Sequence, residues 1–387
     1  MKIAIVTETF LPSTDGVVTR LCATIKWLKE QGHEMIVIAP DLGVDEFEGV
    51  PVKGIPARKF FFYRSREFSL PSRKVKKILM EFQPDVVHAV NPALVGFAGV
   101  HYAEKLNLPL VASYHTNVPR YLDYYRLSAF KPLLWWWIRR MHNKADMNLC
   151  TSQSVQEELT ERGFHSVRLW KRGVAVDKFG PEYYDEGMRE RLTAGKQDKI
   201  LLLYVGRLAA EKEIQKIKDV LEESDQFCLA LVGDGPYRNE LERHFLGTDT
   251  VFTGFLHGGE LAAAYASADA FIFPSTTETL GLVILEAMAS GLPVIAADSG
   301  PTREQIEDGV TGLLYDPNDR TSFTNTVLQT RNSGMLASIS AEALKEGRTM
   351  GWNRPAEQLE QLYEHVLHEW AREEKNVHRF KAGEEPR

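Results

Sequence analysis

Short apolar runs alternate with longer amphipathic stretches along the first half of the chain. Residues 2–6 are dominated by apolar side chains and predict a buried strand, and residues 17–31 follow with apolar positions at the spacing of a helix face. Further strands are predicted at residues 35–39, 85–89, 110–112 and 147–150. Strands and helices in this order predict a parallel sheet that is covered by helices on both faces.

The same alternation begins again after a glycine-rich stretch at residues 173–195. Strands are predicted at 200–205, 227–232, 270–273 and 294–296, and helices near 213–223, 237–245, 260–267 and 280–290. The chain is therefore predicted to be an α/β protein of two Rossmann-like, doubly wound domains. The predicted domains are residues 1–175 and 181–350, followed by a helix at 355–372 that packs back on the first domain. The charged tail after Arg372 is predicted to be disordered.

Charge is unevenly distributed. The net charge of −7 over 387 residues argues against a protein built to bind nucleic acid. Residues 53–77 nevertheless contain nine basic residues and one acidic residue, a local charge of +8. Aromatic residues lie among them (Phe60, Phe61, Phe62, Tyr63 and Phe68), and Trp135, Trp136 and Trp137 precede Arg139 and Arg140. This pattern predicts contact with an anionic membrane surface; the alternative is a solvated basic loop whose aromatic residues are buried.

The three cysteines, Cys22, Cys150 and Cys228, are far apart and lack the spacing of a metal site, so they are predicted to be buried free thiols in a reducing compartment. Glu8 interrupts the first apolar run, which is too short for a signal peptide. No uncharged run approaches the roughly 20 residues that span a bilayer. We expect a cytoplasmic protein with peripheral contact to the inner face of the plasma membrane.

Candidate ligand-binding residues follow the predicted strands, where doubly wound sheets bind their ligands. Gly16 opens the first helix and would let a ligand phosphate approach the backbone, although a plain turn glycine explains it equally well. Arg207 and Lys212 follow the first strand of the second half, and two cations suit a diphosphate. Asp234, between two glycines, is interpreted as part of a turn.

Residues 273–293 carry the most informative motif. Glu286 lies in an otherwise apolar helix, where a carboxylate needs a partner such as a ribose diol. Glu278 precedes this helix and would meet sugar hydroxyls. The N–H groups of Thr279, Leu280 and Gly281 would hold a phosphate. His115 ends a strand of the first half and is a further candidate, although a lone histidine is usually structural.

Together these motifs resemble the retaining glycosyltransferases of family 4, which have the GT-B fold. The resemblance runs from Met1 to about Trp370 and is closest to the sulfoquinovosyl-diacylglycerol synthase type and its bacterial glycolipid-forming relatives. It implies that two domains face a cleft. It also implies that Arg207 and Lys212 bind the donor diphosphate, Glu278 and His115 the transferred sugar, and Glu286 the ribose. One departure is Asp15, where the family often has glycine.

The resemblance implies transfer of a hexose from a UDP- or GDP-linked donor to an acceptor such as diacylglycerol or a glycolipid, with retention at the anomeric carbon. No Asp-x-Asp motif is evident, so we expect neither a metal requirement nor a cofactor. The sugar, the base, the acceptor and the oligomeric state stay open. The alternatives are a nucleotide-sugar epimerase, for which Glu8 and Asp15 are the candidate acid–base residues, a sugar phosphorylase, or a non-enzymatic nucleotide-sugar-binding protein.

Overall fold

The computed structural model describes residues 1–60 and 63–381, with side chains described outside residues 59–66 and 374–381. The chain divides into two compact units. The first contains Met1–Pro119, Ser128–Lys171 and Asn353–Arg387, and the second contains Arg120–Leu127 and Arg172–Trp352. The strands are β1 (Lys2–Thr7), β2 (Glu34–Pro40), β3 (Glu46–Phe47), β4 (Val50–Ile55), β5 (Ala57–Phe60), β6 (Tyr63–Ser69), β7 (Val86–Val90), β8 (Leu110–Ser113), β9 (Met147–Cys150), β10 (Val167–Leu169), β11 (Ile200–Val205), β12 (Phe227–Val232), β13 (Thr250–Gly254), β14 (Ala270–Phe273), β15 (Val294–Ala297) and β16 (Gly312–Tyr315).

Helices connect most of these strands. They are α1 (Gly16–Glu30), α2 (Arg73–Phe82), α3 (Val95–Lys105), α4 (Val118–Tyr124), α5 (Lys131–His142), α6 (Gln153–Glu161), α7 (Glu186–Thr193), α8 (Lys218–Glu223), α9 (Arg238–His244), α10 (Gly258–Ala266), α11 (Leu282–Ala289), α12 (Gly300–Arg303), α13 (Ser322–Leu328), α14 (Ser333–Gly347) and α15 (Asn353–Lys381). Every strand predicted from the apolar pattern is present, within one residue at each end.

The first unit is built on a mainly parallel sheet of eight strands over the described residues, in the order β10-β9-β8-β7-β1-β2-β4-β3. Only the short β3 runs antiparallel to its neighbour. Ile3 and Ile5 of β1 point into one apolar core, and Ala4 points into the other. A strand whose side chains are buried on both faces gives a continuous apolar run, and this explains why the pattern was easy to recognise.

Helix α15 belongs to the first unit, where Leu359, Tyr363 and Val366 enter the core beside β1. It continues to Lys381, so disorder was a wrong expectation for residues 373–381, and residues 382–387 lie outside the described residues. Glutamate, lysine and arginine are good helix formers, and the Glu369–Arg372 pair at 3.0 Å adds side-chain contact along the helix.

The second unit is built on a six-stranded parallel sheet in its described part, in the order β13-β12-β11-β14-β15-β16. The chain runs outward from β11 to β13, then returns to place β14 on the other side of β11. The boundary between β11 and β14 is therefore the topological switch point. Crevices at such points, outside the carboxyl ends of the strands, are the usual ligand sites of open α/β sheets.

The single helix predicted at residues 213–223 was wrong in its first part. Two 3₁₀ turns, Ala210–Lys212 and Ile214–Ile217, precede the short α8. Glu213 lies between the two turns, and its backbone is in the left-handed region with φ 53°. The buried Ile214, Ile217 and Val220 are spaced by three, which suits a 3₁₀ turn as well as an α-helix, so the apolar pattern did not distinguish the two.

Candidate active site

Two glycine turns meet at the carboxyl ends of β11 and β12. Gly206 follows β11 with φ 152°, and Gly233 follows β12 with φ 130°. A Cβ on Gly233 would lie 2.0 Å from the Gly206 carbonyl oxygen, and one on Gly235 would lie 2.3 Å from the Leu208 carbonyl oxygen. Only glycine allows this close approach of the two loops. The turn interpretation of the segment around Asp234 agrees with this packing.

Arg207 comes directly after this turn and forms an ion pair with Glu211, four residues on. The Glu211 side chain is fully buried, while 30% of the Arg207 side chain is exposed. The hydroxyl of Tyr125 donates to the second Glu211 oxygen at 3.0 Å. The carboxylate therefore holds the guanidinium at the strand end.

Lys212 forms an ion pair with Glu278, which lies in the loop after β14. Burial lowers the pKa of the Lys212 ammonium, but the opposing charge of Glu278 outweighs it, and the net pKa lies above its ordinary value. Lys212 therefore stays charged. The pair joins the loops that follow β11 and β14, the two strands at the switch point.

Helix α11 begins later than expected. We expected it to start near residue 279, but the first helical residue is Leu282, because Gly281 adopts the left-handed conformation with φ 63°. Thr279, Leu280 and Gly281 therefore lie in the loop before the helix. The N–H groups of the first helical turn have no partner inside the helix, and their direction favours an anion. Phosphate binding by residues 279–281 stays a prediction.

Glu286 lies within α11, surrounded by apolar residues. The hydroxyl of Tyr265 donates to its Oε2 atom at 2.7 Å. Burial raises the pKa of the Glu286 carboxyl to about 7, although the Tyr265 hydrogen bond acts in the opposite direction. The sequence predicted that this carboxylate needs a partner. Tyr265 supplies one, and Oε1 is a second acceptor in the same carboxyl.

His115 belongs to the first unit and follows β8. Its backbone N–H donates to Asn91 at 3.2 Å, and its Nε2 atom is hydrogen-bonded to the Ser113 hydroxyl at 2.8 Å. Burial first, then the charge of Arg20, hold the pKa of His115 well below its ordinary value. The imidazole is neutral at physiological pH, so it suits a hydrogen bond to a neutral hydroxyl.

Gly16 is the first residue of α1, but Asp15 caps this helix. The Asp15 carboxylate accepts hydrogen bonds from the backbone N–H groups of Val17 and Val18, both at 3.1 Å. The two donors that a phosphate would use next to Gly16 are thus bound to a carboxylate of the chain itself. The predicted backbone approach at Gly16 remains untested.

Glu8 has a similar role at another helix. Its carboxylate accepts hydrogen bonds from the backbone N–H groups of Ala93, Leu94, Val95 and Gly96 at 2.7–3.2 Å, at the start of α3. Both carboxylates that an epimerase could use as acid and base are therefore bound to helix N-termini.

The second unit thus brings Arg207, Lys212 and Glu278 together at its switch point, and His115 and Gly16 lie in the first unit. Sequence reasoning missed Glu211 and Tyr265 as partners, and it missed the contribution of Tyr125. Glu211 lies four residues after Arg207, and this closeness in sequence is a signal that could have found it as a partner. Tyr125 and Tyr265 are far away in sequence from the groups they contact.

The structure also bears on the cysteines, on metal sites and on membrane-spanning helices. The three cysteines are free thiols. In the part of the chain that the structure describes, no three His, Cys, Asp or Glu side chains are grouped as a metal site. No helix among the described residues is long and apolar enough to cross a bilayer.

Comparison with known families gives two matches that divide the chain. Residues 14–178 match Glycosyltransferase Family 4, and residues 189–346 match Glycosyl transferases group 1. The chain is 37% identical over 378 residues to a GDP-mannose-dependent alpha-mannosyltransferase of Mycolicibacterium smegmatis. These residues are 95% of this chain and 98% of that protein.

Two other relatives carry names that refer to different sugars. The sulfoquinovosyl transferase SQD2 of Arabidopsis thaliana is 40% identical over 303 residues, which are 76% of this chain but only 59% of that protein. The alpha-monoglucosyldiacylglycerol synthase of Streptococcus pneumoniae is 32% identical over 338 residues, 81% of this chain and 75% of that protein.

Among solved structures, the Anabaena protein Alr3699/HepE in complex with UDP and glucose matches with a TM-score of 0.76 at 21% identity, over 94% of this chain and 99% of that one. At this identity the likeness shows the fold, which is GT-B. The two parallel sheets and the matched families define the protein as a glycosyltransferase. The chain belongs to the GT-B glycosyltransferases of the family 4 type.

Proposed function

We propose that this glycosyltransferase moves a hexose from a UDP- or GDP-linked donor to the hydroxyl of a membrane lipid, such as diacylglycerol or a glycolipid, with retention at the anomeric carbon and without a metal ion. The observation that carries the proposal is the charge cluster at the switch point of the second sheet, formed by Arg207, Glu211, Lys212 and Glu278. The names of the relatives support a sugar nucleotide and, for one of them, a lipid acceptor.

Arg207 and Lys212 would bind the diphosphate of the donor. A guanidinium can contact two phosphate oxygens at once, and an ammonium adds a compact charge. Negative charge grows on the diphosphate as its bond to the sugar breaks, so fixed cations stabilise the transition state more than the bound substrate. Two protein cations also offset the charge that a divalent ion neutralises in other transferases, which supports a metal-independent reaction.

Glu286 would bind the ribose of the donor. An ionised carboxylate accepts hydrogen bonds from two hydroxyls, as the 2- and 3-hydroxyls of ribose require. Tyr265 fixes one of the carboxylate oxygens. Glu278 would meet the transferred hexose, and its ion pair with Lys212 would hold it next to the diphosphate position.

Retention is proposed through attack on the face from which the donor phosphate leaves. The bond between the anomeric carbon and the phosphate oxygen breaks, a bond to the acceptor oxygen forms on the same face, and the acceptor proton passes to the departing diphosphate. The names of the mannosyl and glucosyl relatives specify alpha products. Since the nucleotide donors of these two hexoses are alpha-linked, an alpha product corresponds to retention.

The lipid acceptor draws support from a surface on α5 of the first unit. Phe130, Leu133 and Trp136 have exposed fractions of 57%, 62% and 49%, and Arg139 and Arg140 beside them are exposed as well. Exposed apolar side chains next to basic ones suit the interface of an anionic bilayer. Trp136 is the one residue of the tryptophan run on this surface, because Trp135 and Trp137 pack on other rings (Tyr114 and Phe97, respectively).

The basic segment contributes a second exposed surface in its described part. Arg73, Lys74, Lys76 and Lys77 on α2 are all exposed, as are Lys53 and Arg58. Phe61 and Phe62 lie outside the described residues, and the side chains of Lys59, Phe60, Tyr63, Arg64 and Arg66 are not described. Contact of α2 with anionic lipid is part of the proposal, with the salt dependence that surface charge implies.

The proposal is tested by incubating the enzyme with a panel of UDP- and GDP-hexoses, in the presence of EDTA, on vesicles that contain diacylglycerol. We expect one donor to stabilise the protein against heat and to yield a glycolipid whose anomeric proton shows the configuration of the donor. An inverted product would refute retention, and loss of turnover in EDTA would refute metal independence. Epimer formation without acceptor would favour an epimerase, and stabilisation without turnover would favour a binding protein.

A further inference from the structure

The side-chain amide of Gln305 is buried against the loop that precedes α11. Gln305 follows α12 and is 2% exposed. Its Nε2 atom donates to the backbone carbonyl of Leu280 at 2.9 Å and to that of Pro301 at 3.1 Å. A Cβ on Gly281 would lie 3.1 Å from the same Nε2 atom, so the amide packs directly on the peptide that joins Leu280 to Gly281. All four residues belong to the second unit.

The two carbonyl groups determine the orientation of this amide. Exchange of its nitrogen and oxygen would place Oε1 at 2.9 Å and 3.1 Å from two carbonyl oxygens, with no proton between them. The Leu280 carbonyl would lose its donor as well. In the present orientation Oε1 is buried without a hydrogen-bond partner among the described residues, but an unpaired acceptor is tolerated more often than an unpaired N–H. Nε2 therefore faces the two carbonyl groups.

The hydrogen bond to Leu280 fixes the direction of the Gly281 N–H. The Leu280–Gly281 peptide is trans, and the C=O and N–H groups of a planar trans peptide point in opposite directions. Because the Leu280 carbonyl points to Gln305, the Gly281 N–H points away from it. Among the described residues, the N–H groups of Gly281 and Leu282 have no hydrogen-bond partner. Both groups are therefore available to a ligand.

The backbone at this point has the form of an anion-binding concavity. Gly281 is in the left-handed region, with φ 63° and ψ 50°, and Leu282 is the first residue of the right-handed α11. Consecutive residues of these two types turn successive N–H groups to one side, and such concavities bind anions. The start of a helix also favours negative charge. The N–H groups that line this concavity are those of Gly281, Leu282 and Val283.

We infer that Gln305 is a positioning residue of the donor site: it holds the Leu280–Gly281 peptide so that the Gly281 N–H donates to a phosphate of the sugar nucleotide. Without Gln305, the Leu280 carbonyl is a buried acceptor without a donor, which is costly. Glycine permits large changes of backbone conformation, so rotation of this peptide would relieve the cost. The rotation would also turn a carbonyl oxygen toward the phosphate. The identity of the ligand rests on the proposed function, whereas the direction of the N–H follows from the hydrogen bonds of Gln305.

The experiment observes the Gly281 N–H directly by NMR. Leucine precedes glycine at three places in the chain, which are Leu42–Gly43, Leu246–Gly247 and Leu280–Gly281. Labelling of the full chain with ¹³C-carbonyl leucine and ¹⁵N-glycine therefore selects three N–H signals, and Leu42→Ile and Leu246→Ile each remove one of the other two. We expect the nucleotide that binds, UDP or GDP, to move the Gly281 proton signal downfield, as a hydrogen bond to phosphate does. The signals of Gly43 and Gly247 should stay in place.

The role of Gln305 is tested with Gln305→Met, which has a similar volume but no hydrogen-bond donor. We expect nucleotide binding to weaken about tenfold in calorimetry, the loss of one charged hydrogen bond, and the Gly281 signal to stay in place at saturation. A variant that is only less stable would keep the full shift at saturation. Gln156→Met is the matched control, because Gln156 Nε2 donates to the Val167 carbonyl at 2.9 Å in the first unit.

The possible failures are distinguishable. If the wild type binds nucleotide and its Gly281 signal does not move, the inference is overturned and the proposed function stands. This measurement needs no variant with altered packing. A full Gly281 shift in saturated Gln305→Met would overturn the positioning role, whatever the affinity of that variant. Failure of the wild type to bind both UDP and GDP would refute the proposed function and the inference together.

Discussion

The two sheets of this protein end in different chemistry. In the second unit, the loops after β11 and β14 carry two ion pairs, Arg207 with Glu211 and Lys212 with Glu278. In the first unit, the carboxylates of Glu8 and Asp15 are bound to helix N–H groups, and His115 is neutral. The two folds thus differ in the groups at their strand ends. In the proposed function, the charged groups of the second unit would bind a diphosphate, and the neutral groups of the first unit would meet sugar and acceptor hydroxyls.

The largest effect on turnover is expected when the second unit loses one of its two site cations. Arg207→Ala and Lys212→Ala should each reduce turnover by roughly 10²–10³, the scale for loss of one group that stabilises transition-state charge. Steady-state kinetics with a saturating acceptor measures this. Lys218→Ala is the matched control, since Lys218 lies on the same segment and pairs with Glu222 at 3.3 Å. Near-normal kcat/KM in both variants would remove the basis for a diphosphate site here.

The charged site also shows how far the sequence could predict this protein. Arg207 and Lys212 were recognisable because they directly follow a strongly apolar strand, and Glu286 because it is a carboxylate among apolar neighbours. The pairing of Lys212 with Glu278 was not recognisable, because the two residues meet only once β14 inserts beside β11.

Local backbone conformation limited the prediction in a second way. The helix expected near residue 279 begins at Leu282, since the left-handed conformation of Gly281 delays it. The 3₁₀ turn at Ile214–Ile217 was not predicted, because the apolar spacing of three in this segment fits both helix types. Buried strands were predicted well because their signal is contained in a few consecutive residues, while tyrosine partners such as Tyr125 and Tyr265 depend on tertiary contacts.

A second prediction concerns binding of the donor in the ground state by Glu286 of the second unit. Glu286→Gln should raise donor KM about 10–100-fold, the loss of charge-assisted hydrogen bonds, with a much smaller change in kcat, because the ribose contact is equally good before and during the reaction. A large loss of kcat at unchanged donor KM would exchange the roles proposed for Glu278 and Glu286.

The pH dependence of the same residue sharpens this prediction. The Glu286 carboxyl has a pKa of about 7, and ribose hydroxyls donate to its ionised form. Donor affinity should therefore increase as pH rises through about 7 and should lose this dependence in Glu286→Gln. The free energy of unfolding has the opposite pH dependence and should fall as pH rises from 4.5 to about 7. In this range the folded protein keeps a proton that the unfolded chain has lost. Calorimetry of both variants across this range checks both signs.

Substitution of His115, the neutral histidine of the first unit, should have a smaller effect than loss of a cation in the second unit. His115→Asn is expected to lower kcat about tenfold, the loss of one hydrogen bond to the sugar. Because the pKa of His115 lies well below its ordinary value, the kcat profile of the wild type at saturating donor should show no histidine limb near neutral pH. His257→Ala, an exposed histidine of the second unit, serves as control. A limb that disappears in His115→Asn would show that His115 is charged in the working enzyme.

The smallest effects on donor chemistry are expected from the exposed surfaces of the first unit. Sedimentation with phosphatidylglycerol vesicles should decrease with added salt, and again when Arg73, Lys74, Lys76 and Lys77 are changed to Ser, since each basic residue near anionic lipid contributes about 1 kcal/mol. Leu133→Ser/Trp136→Ser should weaken the part of binding that salt does not remove. Turnover with a soluble acceptor should stay unchanged in both variants.

Leu246→Ser is the control for these surfaces, because Leu246 is 74% exposed in the second unit. We expect this variant to sediment like the wild type. Absence of vesicle binding at low salt, together with efficient glycosylation of a soluble acceptor, would contradict the lipid proposal and leave the donor site unaffected.

The account rests on the cation pair of the second unit as the diphosphate site, and calorimetric titration of UDP and GDP into the double variant Arg207→Ala/Lys212→Ala tests it most directly. We predict that the nucleotide that binds the wild type loses about 10²-fold or more in affinity, since each charged hydrogen bond contributes about 1.5–3 kcal/mol. Lys218→Ala should bind it like the wild type. Equal affinity of the double variant and the wild type would contradict the account.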